Sequence, residues 1–334
     1  MSNRRTRRMV VAAALTAALG LLLPVGTAQA AACQWQQTAW ELPPTVPSGT
    51  LLASDGGRYG IGITGIRSTN WPFDYRERRG TLWENGRVVL RLPAATPNLR
   101  DVNTSGKIVG DDLINGTWAA VTVSRGGATT VLPSSPNWSG SSAHVINNAG
   151  DIAGTASIGL KRVLVVWPAS APGTYRELAT PADSSPILAG IDEQGRIVGH
   201  SAGRGFVTDV NGQWHTLYAP GPHPFSTPHA IRDGRVVGDM DNGSSYAVAE
   251  WNDQGALVRT ITQGALSAKA IGGHGTVGGS KYVASVIRPV LWRDGVVSDP
   301  LTTVSDTFTI KAISDDEKTL IGNDISRPAQ YTCS

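Results

Sequence analysis

The sequence predicts an all-β fold: a seven-bladed β-propeller of four-stranded repeats about 43 residues long. Three observations predict it. A short phrase (glycine, polar residue, two apolar residues, glycine) recurs along the chain. Its copies are evenly spaced. Between copies lies a second apolar segment, often ending in Trp.

The phrase is clearest in Ser105-Gly106-Lys107-Ile108-Val109-Gly110. It returns at Gly150–Gly154, Gly195–Gly199, Gly234–Gly238 and Gly275–Gly279, with degenerate copies at Lys318–Gly322 and Gly56–Gly62. An apolar residue and a turn former precede most copies, as in Val102-Asn103, Ile146-Asn147 and Ile191-Asp192. Each copy therefore reads as strand, tight turn, strand. The closing glycines fall at 110, 154, 199, 238, 279 and 322, in steps of 44, 45, 39, 41 and 43. That period marks a propeller or array, and seven repeats consume the chain after its leader.

The leader comes first. Arg4-Arg5-Thr6-Arg7-Arg8 precedes an apolar run from Met9 to Leu23, and Ala28-Gln29-Ala30 supplies a small-x-small cleavage site. Residues 1–30 read as a secretory signal peptide and 31–334 as the propeller domain, which places the protein outside the cell. Thr6–Val11 loosely fits a twin-arginine signal, so the export route stays open. About 15 apolar residues are few for a bilayer crossing, and no membrane span is expected. The leader holds four Arg. Without them 25 basic residues face 26 acidic ones, and the net charge moves from +3 to −1. No basic run is left, and a nucleic-acid partner is not expected.

Each repeat continues into a second hairpin. Thr81-Leu82-Trp83, Val165-Val166-Trp167, Val248–Trp251 and Val290-Leu291-Trp292 are its clearest third strands, and Phe206-Val207-Thr208 lacks the Trp. A Trp recurring at one repeat position reads as packing between blades rather than a ligand platform. The ends then explain each other. Arg327–Thr332 matches Arg288–Arg293, a third strand, and the chain stops there without a fourth. Gln34–Leu42 is a strand with no hairpin before it. Pairing the two closes the ring and covers an open edge. Cys33 and Cys333, the only cysteines, fall where a connecting turn would lie and are expected to form a disulfide.

With the repeat in view, the pattern apolar-Asn-x-x-Gly-x-Ile-Val-Gly followed by apolar-apolar-Trp-x-x-Gly resembles the extracellular HAF-repeat family of bacterial proteins. Residues 99–110, 143–154 and 188–199 carry the first half best and 285–295 the second. The namesake Phe is mostly replaced. The resemblance implies a secreted, propeller-like repeat fold and carries no activity.

In an up-and-down blade the first-to-second and third-to-fourth turns share one face. The second-to-third loops and the blade-to-blade connections share the other. The long segments Ile63–Arg79, Pro133–Ser142 and Tyr218–Pro228 belong to the latter, the expected working face. Aromatic candidates there are Trp71, Phe73 and Tyr75, with Trp138 and Phe225 on the other two connections. A second set precedes the apolar end of each first strand by two residues: Arg100, His144, Ala189, His229, Lys269 and Lys311. These should ring the mouth of the central channel and attract anions. A third set follows each closing glycine: Asp111, Thr155, His200, Asp239, Ser280 and Asn323, read as hydrogen-bonding residues.

Catalytic signatures are scarce. The six histidines show no metal-ligand spacing. There is no nucleophile elbow and no phosphate loop. Asp239-Met240-Asp241-Asn242-Gly243 lacks the distal Glu of a calcium loop. No cofactor is expected. The reading is a secreted, monomeric binding module for a glycan, cell-surface polymer or protein. The alternatives are an extracellular hydrolase or lyase using Asp111, Asp239, His144 or His229 at the channel mouth, and a structural part of an extracellular assembly.

Overall fold

The computed structural model describes residues 33–67, 75–181, 184–221, 225–262 and 264–334, with the side chains of residues 67 and 75 left aside. They form seven four-stranded antiparallel sheets. A first strand, β1 (Trp35–Ala39), stands apart in sequence from the sheet it joins. Blade 1 is β2 (Ser48–Ser54), β3 (Tyr59–Arg67), β4 (Tyr75–Glu84) and β5 (Arg87–Arg91). Blade 2 is β6 (Asn98–Val102), β7 (Ile108–Ile114), β8 (Thr117–Val123) and β9 (Thr129–Val131). Blade 3 is β10 (Gly140–Ile146), β11 (Ile152–Ile158), β12 (Lys161–Trp167) and β13 (Arg176–Leu178). Blade 4 is β14 (Ile187–Ile191), β15 (Ile197–Ser201), β16 (Arg204–Thr208) and β17 (Trp214–Thr216). Blade 5 is β18 (Phe225–Arg232), β19 (Arg235–Asp241), β20 (Tyr246–Trp251) and β21 (Leu257–Ile261). Blade 6 is β22 (Ala265–Ile271), β23 (Val277–Val283), β24 (Val286–Arg293) and β25 (Val296–Asp299). Blade 7 is β26 (Phe308–Ile313), β27 (Thr319–Asp324) and β28 (Arg327–Cys333), completed by β1.

The first strand of each blade touches the first strand of the next, from β2 round to β26 and back, so the seven first strands line the centre. Closure runs through β1, which pairs antiparallel with β28 from Trp35↔Cys333 to Ala39↔Ala329. The disulfide Cys33–Cys333 locks that seam.

The two glycines of the repeated phrase have different reasons. The first sits in the tight turn with positive φ, as at Gly195 (φ 82°), where only glycine avoids strain. The last, as at Gly199, faces a first strand that bulges toward it. A Cβ there would collide with the carbonyl oxygen of Ile187, and the other closing glycines meet the same obstacle. The bulge recurs at one register position in all seven blades, and it fixes the phrase.

Blades adhere through apolar faces and a polar belt. Trp83, Trp167, Trp251 and Trp292 are buried. The indole N–H of Trp83 donates to Glu41 O, that of Trp167 to Pro133 O and that of Trp251 to Tyr218 O. Each acceptor lies just past the outer strand of the preceding blade, so the tryptophans are inter-blade packing as the repeat implied. At the first-to-second turns Asn103 Nδ2 donates to Asn147 O (3.1 Å), and Asn147 Nδ2 to Asp192 O (3.0 Å). Asp192 Oδ2 then accepts from Gly234 N (3.2 Å), stepping from blade 2 to blade 5.

Two outcomes are expected in urea titrations. Gly199→Ala loses roughly 3 kcal/mol or more, because backbone must move to admit the Cβ. Gly195→Ala, where nothing lies within 4 Å of the new carbon, loses only about 1–2 kcal/mol of conformational strain. Equal losses would refute this division of labour. Reducing the disulfide, whose partners are 300 residues apart, lowers stability by at most about 5 kcal/mol on the loop-entropy model.

Candidate functional site

The bulge places seven residues alike: Leu52, Arg100, His144, Ala189, His229, Lys269 and Lys311. Each is the unpaired residue of its first strand. Six are the residues the sequence placed at the channel mouth, and Leu52 is the blade 1 equivalent that sequence spacing did not supply. Three of these side chains reach the residue just after the closing glycine of their own blade. Arg100 Nε donates to Asp111 Oδ1 (2.5 Å), His144 Nε2 lies 3.2 Å from Thr155 Oγ1, and His229 Nε2 lies 2.7 Å from Asp239 Oδ2. That direction is toward the second-to-third turns.

Three of the residues after the closing glycine also tie their blade to the next. Asp111 Oδ1 accepts from Ser142 Oγ (2.8 Å). Asp239 accepts from Ser267 Oγ and Ala268 N, both at 2.8 Å. Asn323 Oδ1 accepts from Leu51 N (2.7 Å) while its Nδ2 donates to Leu51 O (3.0 Å). Asp111, Asp239 and Asn323 meet the hydrogen-bonding role read from sequence, with strands of neighbouring blades rather than loops as partners, and Thr155 meets it within its own blade. Sequence reasoning missed Ser142 and Ser267, whose hydroxyls gain meaning only once the blades are stacked.

Cationic character concentrates in blades 5 to 7. Lys269 Nζ lies 2.7 Å from His229 Nε2 and 3.4 Å from Asp239 Oδ2. The imidazole nitrogen donates to Asp239 when it carries the proton and accepts from Lys269 when it does not. Burial opposes the charge on Asp239, but the hydrogen bond and charge of His229, with Lys269, outweigh it and lower its pKa. Burial and then the charge of Lys269 lower the pKa of Lys311, which has no ion pair among the described residues. Burial, then His229, lowers that of His200, whose Nδ1 is buried without a partner among the described residues. His144 is pushed down to about 4, first by burial and then by Arg100.

The aromatic candidates fare differently. Trp71 and Phe73 lie outside the described residues; Tyr75 opens β4 opposite Arg67. Trp138 is half-buried and folds onto blade 3, edge-on to Trp167 (6.4 Å between centroids) and 4.7 Å from Tyr175. Its indole N–H donates to Glu177 Oε1 (2.8 Å). Phe225 opens β18 at 44% exposure, covering Gly203. Trp138 and Phe225 therefore make their contacts away from the basic bulge residues. Two shallow clefts lie at the outer edge of blade 3, one lined by Lys161, Arg162, Glu177 and Pro181 and the other reaching Trp214 of blade 4, and neither contains a ring residue. Among the described residues no three His, Cys, Asp or Glu side chains are grouped to hold a metal ion.

Against this geometry the chain is similar in shape to a streptogramin B lyase structure (TM-score 0.57, 14% identity, 90% of this chain and 98% of that one). It is also similar to virginiamycin B lyase from Staphylococcus aureus (TM-score 0.56, 13% identity, 90% and 99%). The β-propeller domain of the Trilobed protease from Pyrococcus furiosus, described as having an open velcro topology, aligns at TM-score 0.52 with 12% identity, over 84% and 93%. The likeness is one of fold. No family model and no curated protein matches the chain, so the HAF-repeat resemblance rests on the quoted residues alone.

His144 gives a pH signature. Its folded pKa of about 4 lies below the ordinary 6.5, so between these values the unfolded chain takes up a proton that the folded chain refuses. Stability attributable to this group therefore falls as pH drops through that window. His144→Gln should show a smaller loss of urea midpoint between about pH 7 and about pH 4.5 than the unaltered protein. An identical loss would remove His144 from the acid response.

Proposed function

We propose that the protein is a secreted binding module that captures an anionic group of a cell-surface polymer, glycan or protein at its channel mouth. One observation carries the reading: five of seven equivalent bulge positions are Arg, Lys or His, and three of their side chains reach toward the same face. Arg100 pairs with Asp111 and Lys269 with Asp239, while Lys311 has no ion pair among the described residues. The surplus falls at Lys269 and Lys311, whose mutual repulsion an anionic ligand would relieve. Solvent reaches this region, with the Lys269 and Arg100 side chains 40% exposed. The disulfide suits an oxidising compartment, and residues 1–30 would serve as the export leader.

The test compares acidic with neutral polymers. Heparin and hyaluronate should bind more tightly than dextran and be displaced by salt, with Lys269→Ala/Lys311→Ala weakening acidic polymers about tenfold or more. Equal affinity for dextran, or an unaffected double variant, would overturn the assignment.

The His229–Asp239–Lys269 triangle favours a second reading, an extracellular hydrolase or lyase, because it joins a proton-transferring imidazole to a carboxylate and an ammonium. In that case His229→Gln would abolish turnover of a screened substrate while leaving its binding in place.

A further inference from the structure

The propeller has two unlike faces. Large apolar side chains are exposed at the tips of the second-to-third hairpins in four blades: Ile114 and Trp118 in blade 2, Leu160 in blade 3, Tyr246 in blade 5, Val286 and Ile287 in blade 6. Leu160, at 106%, is as exposed as a side chain can be. On the opposite face Val210, Val258 and Val296 are exposed in the same way, a smaller set. Exposed apolar groups gathered on one side of a folded domain mark a surface that meets something.

Charge divides in part the same way, although Lys107 and Lys318 on the opposite face also lack an ion pair among the described residues. On the opposite face arginines are held by carboxylates: Arg58 and Arg125 by Glu84, Arg196 by Asp192, Arg235 by Glu250, Arg293 by Glu317. Beside the apolar tips, Arg78, Lys161, Arg162, Arg204, Lys281 and Arg327 have no ion pair among the described residues. The carboxylates there, Glu77, Asp112, Asp241, Asp306 and Asp324, are fewer, and Asp306 already pairs with Arg288. Asp324 is already taken by Gln37 and Thr307.

We infer that this face docks on a bilayer surface rich in anionic phospholipid, with the hairpin tips entering the headgroup layer and the free cations meeting phosphates. The layout favours lipid over a protein partner. The tips stand on separate hairpins around a ring. A fluid, flat, negative surface accepts wedges wherever they fall, whereas a protein partner would need a matching pocket for each. Apolar insertion combined with basic flanks is the usual chemistry of peripheral membrane binding. It goes beyond the channel reading and uses different residues.

Co-sedimentation of the whole protein with vesicles tests it. Vesicles of phosphatidylglycerol and phosphatidylcholine should bind at least about tenfold more tightly than pure phosphatidylcholine. Leu160→Ser/Ile287→Ser should weaken that binding about tenfold, and Lys161→Glu/Arg204→Glu should abolish it. All four side chains are exposed, and an unchanged thermal melt confirms intact folding. Lys269→Ala/Lys311→Ala should leave vesicle binding unchanged while weakening acidic polymers, which separates the two proposals. Absence of sedimentation with phosphatidylglycerol would overturn the inference. So would insensitivity to the tip substitutions, which would point to a polyanion, or loss on the lysine double substitution, which would move binding to the channel.

Discussion

The structure depends on one steric fact repeated seven times. The innermost strand of each blade carries an extra residue, and the strand beside it must present a glycine where the bulge pushes a carbonyl forward. The bulge does two things at once. It releases one side chain per blade from the pairing of its sheet, and it sets that side chain at the same height in all seven. Channel chemistry is therefore a by-product of how the blades are built. Substituting a bulge residue alters the channel at little cost to the sheet, while its facing glycine cannot change. This separation lets Leu52 and Ala189 stand in the same ring as Lys269 and Arg100.

Electrostatics then distinguish the two faces. On the side of the first-to-second turns, arginines and carboxylates are spent on each other, together with the amide belt from Asn103 to Gly234. That side holds the blades in register. The other side has cations left over and apolar tips uncovered. Nothing in the repeat demands this asymmetry, since hairpin tips tolerate almost any residue. The proposed membrane docking rests on its presence.

Much of the fold could be read from the chain because its constraints are local and periodic. Gly195 must turn and Gly199 must make room, so both recur visibly; the match of Arg327–Thr332 to Arg288–Arg293 foretold the seam with β1. The ring of Arg100, His144, His229, Lys269 and Lys311 was legible as a column of basic residues, but not the bulge that creates it, because an extra residue leaves no mark without its partner strand. Trp138 shows another limit. A Trp in a connecting segment could face solvent or fold back, and only the positions of Trp167 and Tyr175 decide that it folds back. The second-to-third turns proved short in most blades, so the irregularity on that face comes mainly from blade-to-blade connections. The apolar rim went unread because exposure of Leu160 or Ile287 is a property of how far a hairpin projects.

The bond between Cys33 and Cys333 has a consequence beyond holding the seam. With partners 300 residues apart, it makes the propeller a covalent macrocycle. A single cut by a protease at any hairpin tip leaves one molecule, with every blade still tethered on both sides. The projecting tips proposed to meet a membrane are also the places a protease would find first. A closed loop of chain lets those tips be exposed without making each one a point of failure.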